Sequence, residues 1–221
     1  MKVLLSSNKK DRLITKLSRL WKDQQDHMLI EKTILALNKH YDLNRKMVKE
    51  PGVEGIIEQM VGRLANSFGS LSNLQNKRIL DIACGSNSSK APASLYLNTP
   101  FGRMSVGRSS RGYTALFEPW FCRILFELGA TPVGVDFGDL ELEVFTHYRV
   151  DLGRINSLDF LPEHSFDAVQ DSRLFGSPEF TAQFPDQADR LNVAQEIRRQ
   201  ELRILIMDGI IIHSDANELL K

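Results

Sequence analysis

Between Lys9 and Asp23, Leu13, Ile14, Leu17, Leu20 and Trp21 recur at three- and four-residue intervals with charged residues between them. That spacing lines one face of a helix with apolar side chains. A second helix is expected from about Gln25 to Tyr41, with Met28, Leu29, Thr33, Ile34 and Leu37 on its stripe. A third follows Pro51-Gly52, carries Ile56, Ile57, Met60, Val61 and Leu64, and ends near Phe68-Gly69.

Beyond residue 76 the rhythm changes. Short apolar runs alternate with helical patterns, the order that builds a parallel sheet with helices on its faces. Strands are expected at Arg78-Ile79-Leu80, at Thr131 to Val135, from Phe145 to Leu152, in a run ending at Gln170-Asp171-Ser172-Arg173, and before His213-Ser214-Asp215. Helices are expected from about Glu118 to Leu128, with Trp120, Phe121, Ile124 and Leu125 inward, and from about Gln187 to Leu205, with Leu191, Ala194, Ile197, Leu202 and Leu205 on its stripe. Gly129 stops the first of these, and Gly209 is expected at the turn into the last strand. Residues 1–75 form an expected helical cap and residues 76–221 an α/β domain.

Ser88 to Thr114 is read as a long irregular stretch, with Pro92, Pro100, Gly102, Gly107 and Gly112 among Arg103, Arg108 and Arg111. Loops of this length inside a compact domain are functional or mobile. As a lid, this one would offer arginines to a carboxylate or phosphate; otherwise it is a polar loop.

The candidate chemistry centres on Lys77 to Asn87, K-R-I-L-D-I-A-C-G-S-N. A buried strand that stops at an acid, Asp81, and breaks into the small turn Ala83-Cys84-Gly85-Ser86-Asn87 is how open α/β sheets begin a nucleotide site. This stretch resembles the first motif of the class I (Rossmann-like) S-adenosylmethionine-dependent methyltransferases, an apolar strand followed by acid-x-Gly-x-Gly-x-Gly. Asp81 matches the acid and Gly85 the central glycine, while Ala83 and Asn87 stand where the outer glycines usually stand. Asn tolerates a left-handed backbone better than other non-glycine residues. The run E-L-G-A-T-P-V-G-V-D, ending at Asp136, resembles the family's helix, turn and second strand. L-P-E-H-S-F-D-A-V, from Leu161, resembles its approach to strand four, and E-L-R-I-L-I-M-D-G-I-I-I-H-S-D its last helix and strand five.

The resemblance implies an open, doubly wound, mostly parallel Rossmann-like sheet, strand order 3-2-1-4-5, behind an N-terminal helical extension. The family's core continues through two more strands beyond this point, so a sheet lacking them, or a homodimer or partner covering its edge, is expected. It also implies S-adenosylmethionine as cofactor. The turn residues Asp81, Ala83, Cys84, Gly85, Ser86 and Asn87 would lie against it, and Asp136, followed by Phe137, would accept hydrogen bonds from the ribose hydroxyls. Asp151, followed by Leu152, and Asp159 compete for the adenine amino group, and Gln170 would lie close by. Ligands of such sheets bind beyond the strands' carboxyl ends at the switch in strand order. Asp171 would there be a general base or orient the acceptor, or be an ordinary strand-end acid. His213 would touch the substrate or be a structural histidine. Asp167 reads as a turn cap.

The 42% hydrophobic content suffices for a core, and the formal charge is zero, which removes a global field toward nucleic acid or membranes. The basic cluster Lys9, Lys10, Arg12, Lys16, Arg19 and Lys22 is accordingly read as a solvated helix face. No run approaches the roughly 20 apolar residues that span a bilayer. Cys84 and Cys122, the two cysteines, set no disulfide framework and no metal spacing. These features predict a cytoplasmic protein, and the resemblance implies an enzyme that methylates a small molecule. A second reading is a degenerate, non-catalytic cofactor-binding module acting through a partner. A nicotinamide oxidoreductase would suit the acid after strand two but lacks G-x-G-x-x-G.

Overall fold

The structure, a computed structural model, describes residues 9–19, 24–85, 95–99, 102–106, 115–138, 143–171, 174–175 and 178–220. The helices of the first part are α1 (Lys9–Ser18), α2 (Gln24–Tyr41), α3 (Leu43–Lys49) and α4 (Gly52–Phe68), followed by a 3-10 turn at Leu71–Leu74. Strand β1 (Arg78–Ile82) opens the α/β part, and a hairpin of β2 (Leu95–Thr99) and β3 (Gly102–Val106) follows it. Then come α5 (Trp120–Glu127), β4 (Thr131–Asp136), β5 (Thr146–Arg149), β6 (Phe166–Asp171), α6 (Pro178–Gln183), α7 (Gln187–Ile204), β7 (Leu205–Ser214) and α8 (Asp215–Leu219).

β5-β4-β1-β6-β7 form one five-stranded sheet, and every neighbouring pair is parallel. Counted among these five strands, the order is the expected 3-2-1-4-5, consistent with a Rossmann-like α/β fold. The order reverses between β1 and β6, which places a switch point beside Asp81 and Gln170, paired residues of those strands.

Alternation along the strands divides the core into two layers. Ile79 of β1 and Ala168 of β6 belong to one apolar cluster with Leu13, Ile34, Met47, Leu64, Trp120 and Ile124, so α1–α5 cover that face. Leu80, Ile82, Val133, Val135 and Val169 join Phe180, Ala194, Ile197 and Ala216 on the other, beneath α6–α8. The N-terminal helices therefore share a core with β1, α5 and β6.

Several local expectations change. Met28 is 66% exposed, because the inward stripe of α2 runs through Asp26, Ile30, Thr33, Ile34 and Leu37. Asp26 is tolerated there because it accepts hydrogen bonds from Ser70 Oγ (2.9 Å) and the Leu71 N–H (3.0 Å). In α7 the inward positions are Val193, Ala194, Ile197, Gln200, Glu201 and Ile204, and Leu202 is 55% exposed. The third sheet strand stops at Arg149, so Asp151 lies just past it. Gly209 sits inside β7: Leu205 pairs with Phe166 and Ile210 with Ala168, so the residues between them bulge from the ladder. Within the stretch expected to be irregular, Leu95–Thr99 and Gly102–Val106 pair as an antiparallel hairpin, and its remaining residues lie outside those described.

Candidate functional site

The turn after β1 is built on a left-handed backbone. Ala83 has φ 59° and Gly85 has φ 101°. Glycine adopts such angles freely, whereas an alanine does so at a cost of about 1–2 kcal/mol. Ala83 thus occupies, under strain, the position where the resembled motif has its first glycine. Gly85 is required for a second reason. A Cβ there would lie 2.5 Å from the Phe117 carbonyl oxygen and 3.1 Å from the Glu118 backbone. The chain entering α5 closes over the turn at a distance that no side chain can share.

Two hydrogen bonds tie this turn to the neighbouring strand, and a third orders the loop that follows it. The Cys84 N–H donates to the Val135 carbonyl (3.2 Å), the Gly85 N–H to Asp136 Oδ2 (3.0 Å), and the Gly138 N–H to Asp136 Oδ1 (3.3 Å). Asp136 is half-buried and orders both the turn and its own loop. Asp81 is buried, with Gln170 Nε2 donating to its Oδ1 (3.4 Å) and the Cys122 thiol donating to its Oδ2 (3.7 Å). Cys84 and Cys122 are free and buried together, and Gly134 leaves them room: a Cβ there would lie 2.8 Å and 3.3 Å from the two sulfurs. Burial pushes both thiols up, Cys122 to about 11, so neither is a nucleophile near neutral pH.

Thus Asp81, Ala83, Cys84, Gly85, Asp136 and Gln170 gather around the carboxyl ends of β1, β4 and β6. Ser86 and Asn87 lie outside the described residues. Phe137 is half-buried directly after Asp136, and Leu152 belongs to the α6–α8 core. Of the two candidate adenine acids, Asp151 is the one near Asp136, since the Val150 N–H donates to the Asp136 carbonyl (2.8 Å). Its own oxygens accept from the Gly153 N–H (3.2 Å) and Arg154 Nε (2.9 Å). Asp159 turns toward α7, accepting from Gln200 Nε2 (2.5 Å). Asp167 accepts from Lys77 Nζ and the Arg78 N–H, both at 2.8 Å, and pins the start of β6 to β1.

Of the two candidate catalytic residues, Asp171 faces away from this gathering, whereas His213 pairs with Gln170 in the neighbouring strand. Asp171 is fully buried; its carboxylate accepts from Ser214 Oγ (2.8 Å), from the Ala216 N–H (3.2 Å) and from the Asp215 N–H. It therefore caps α8 from inside the fold, and a role as base facing an acceptor does not match this position. The reason is alternation, because Asp171 follows Gln170 and points into the other layer. His213 Nε2 lies 2.8 Å from Asp215 Oδ1, and its Nδ1 4.0 Å from Glu218 Oε1, so two α8 carboxylates hold the ring. Ser172 and Arg173 lie outside the described residues.

Sequence reasoning missed the group that seats α5. Arg123 is 3% exposed, pairs with Glu118 and with Glu143 (2.5 Å), and stacks over Tyr41 (4.0 Å) and Trp120 (4.8 Å). Lys46 of α3 reaches Glu118 as well (2.5 Å). This network fixes the Phe117–Glu118 backbone that presses on Gly85. Its signal in the sequence was one arginine in an otherwise apolar helix, W-F-C-R-I-L-F.

Comparison of the chain with protein-family models, with curated proteins and with solved structures gives no match. Among the described residues, no helix is long and apolar enough to cross a membrane.

Proposed function

We propose that this chain is an S-adenosylmethionine-dependent methyltransferase acting on a small molecule. The observation that carries the reading is the strained, glycine-containing turn after β1 held against Asp136, at the carboxyl edge of a parallel sheet beside its switch point. The donor set suits the cofactor. A carboxylate has about four acceptor positions, and Asp136 uses two on backbone N–H groups, leaving capacity for two ribose hydroxyls. Asp151 is the nearer acid for an adenine amino group, and Asp81 and Gln170 lie under the turn.

When bound, the cofactor supplies an activated methyl group, so the chain's own task is to bind, align and exclude water. Asp136 and the turn hold one end of the site. Ser86 and Asn87, which continue the turn, belong to the same proposed set. His213, poised between Asp215 and Glu218, is the candidate substrate contact on the far side of the switch point.

The test is isothermal titration with S-adenosylmethionine and S-adenosylhomocysteine, repeated on Asp136→Ala with a thermal-melt control for folding. Micromolar binding to the wild type, weakened at least tenfold in the folded variant, supports the reading. No binding to the wild type overturns it. One observation favours a second reading, a cofactor-binding-like module that acts through a partner: both Asp136 oxygens are already engaged by the protein's own N–H groups. A partner meeting an edge strand, β5 or β7, would then be sought.

A further inference from the structure

We propose that His213, Asp215 and Glu218 form a site for one divalent transition-metal ion, zinc being the ion that fits them best, with one coordination position left open. The inference stands on this cluster's geometry and does not depend on the methyltransferase reading.

The ligand types point to the metal. One imidazole nitrogen and two carboxylate oxygens make a mixed set that zinc and its first-row neighbours take, whereas magnesium and calcium are held by oxygen. Among the described residues, these three form the one such group, and their ligand atoms all lie within 4.8 Å of one another. Donors about 2.1 Å from a tetrahedral ion stand about 3.4 Å apart. His213 Nε2 and Asp215 Oδ1, at 2.8 Å, are already that close, and the ion replaces the hydrogen bond between them. Glu218 Oε1 lies 4.0 Å from the other ring nitrogen, Nδ1. One ion takes one ring nitrogen, so Glu218 must rotate toward Nε2, and its 62% exposed side chain has room to do so.

The fold presets the backbone of all three. His213 lies in the β7 ladder, paired with Gln170. Ser214, the next residue, turns to the opposite face, where its Oγ lies 2.8 Å from Asp171 Oδ2 and 3.2 Å from Glu201 Oε2. Ser214 Oγ also accepts from the Asn217 N–H (3.1 Å), and Asp171 accepts from the Asp215 and Ala216 N–H groups. These bonds fix the angle at which α8 leaves the strand. Ala216, Leu219 and Leu220 seat α8 on the apolar layer. Asp215 and Glu218, three residues apart, therefore share its other side, and both turn toward His213. An ordinary acidic helix face lacks this arrangement. Here a strand holds the imidazole, a helix capped onto the end of that strand holds the carboxylates, and no long loop has to order before an ion binds.

Arg63 of α4 is the positive group facing the two carboxylates, and it feels Asp215 first and Glu218 next. It forms no ion pair among the described residues. Its field weakens the attraction for a cation but occupies no ligand atom.

The position suggests what the open site is for. Gln170 pairs with Asp81 as well as with His213, so the parallel register sets His213, Gln170 and Asp81 in one row across the carboxyl ends of β7, β6 and β1. The ion would stand at the end of that row. Three protein ligands leave a tetrahedral ion a fourth position, for water or for an oxygen of a small molecule lying over the row.

Isothermal titration of the full chain, first stripped with a chelator, tests this with zinc, manganese and magnesium ions. One zinc per chain at micromolar affinity is expected, with weaker manganese binding and none for magnesium. His213→Ala and Glu218→Gln, each checked for folding by circular dichroism, should weaken zinc at least about tenfold. No zinc binding by the wild type overturns the site. Equal zinc binding by the wild type and both variants overturns it too, and marks an adventitious ion only. If His213→Ala does not fold, nitrogen NMR of the wild-type histidine rings decides. A shift of the His213 ring nitrogens complete at one equivalent of zinc supports the site, and an unchanged His213 ring overturns it. The variants leave Asp136 and the turn after β1 intact, so zinc binding and S-adenosylmethionine binding hold or fail separately.

Discussion

The same sheet edge ends in two different ways. At β1 and β4 the acid Asp136 is half-buried and pairs with backbone N–H groups of a strained turn, so its partners are weak, neutral and close to the loop ends. At β6 and β7 the acid Asp171 is sealed inside, spends its oxygens on Ser214 and α8, and lies against a second buried acid. Both acids stand at the carboxyl ends of parallel strands, where ligands of such sheets bind. The difference teaches that strand-end position alone does not make a site residue. The face toward which the last side chain points, and what covers that face, decide whether the acid meets a ligand or holds the fold.

Substitutions on the two sides should separate these roles, beginning with the largest effect. Asp171→Ala strips three accepted hydrogen bonds and leaves buried donors without partners. A loss of about 4 kcal/mol is expected from urea unfolding. A loss under about 1 kcal/mol would erase the contrast, because Asp171 would then be dispensable to the fold. Gly85→Ala puts a methyl group into the space of the Phe117 carbonyl at a left-handed residue. About 3 kcal/mol of destabilisation is expected from the backbone angle and overpacking together. A near-neutral result would mean that the turn and α5 are not closed on each other. The smallest effect is a gain: Ala83→Gly relieves the φ 59° strain and should raise stability by about 1 kcal/mol, visible as a higher denaturant midpoint with unchanged slope. A loss at this position would show that the Ala83 methyl group contributes packing that outweighs its strain.

Helices α1, α2, α4, α5 and α7 and the five strands of the parallel sheet were legible because each carries its periodicity in consecutive residues, whereas the short α3, α6 and α8 were not expected. Leu13 and Leu17, or Ile57, Met60, Val61 and Leu64, bury as their spacing predicts. Asp81, Gly85 and Asp136 were legible as a set because they mark strand ends and turns, whose requirements are local. Met28 and Leu202 were misplaced because a helix with apolar residues on more than one face does not state which face the core will take. The pairing of β2 with β3 was not legible because Pro92, Pro100, Gly102 and Gly107 mark turns within and around its short runs. Lys46 with Glu118, Arg123 with Glu143, and Glu201 with Asp171 joined residues far apart in sequence.

By itself the sequence determined an α/β chain with a parallel sheet, N-terminal helices, and an acid–glycine turn aimed at the sheet's carboxyl edge, since periodicity and turn chemistry act over a few residues. Only the tertiary structure decided that Gly85 is pressed by the chain entering α5, that Asp136 already carries backbone donors, and that Asp171 is locked against Glu201. Those outcomes depend on which surfaces exclude water together, and a buried charge takes its partner and its proton from neighbours that folding alone brings into contact.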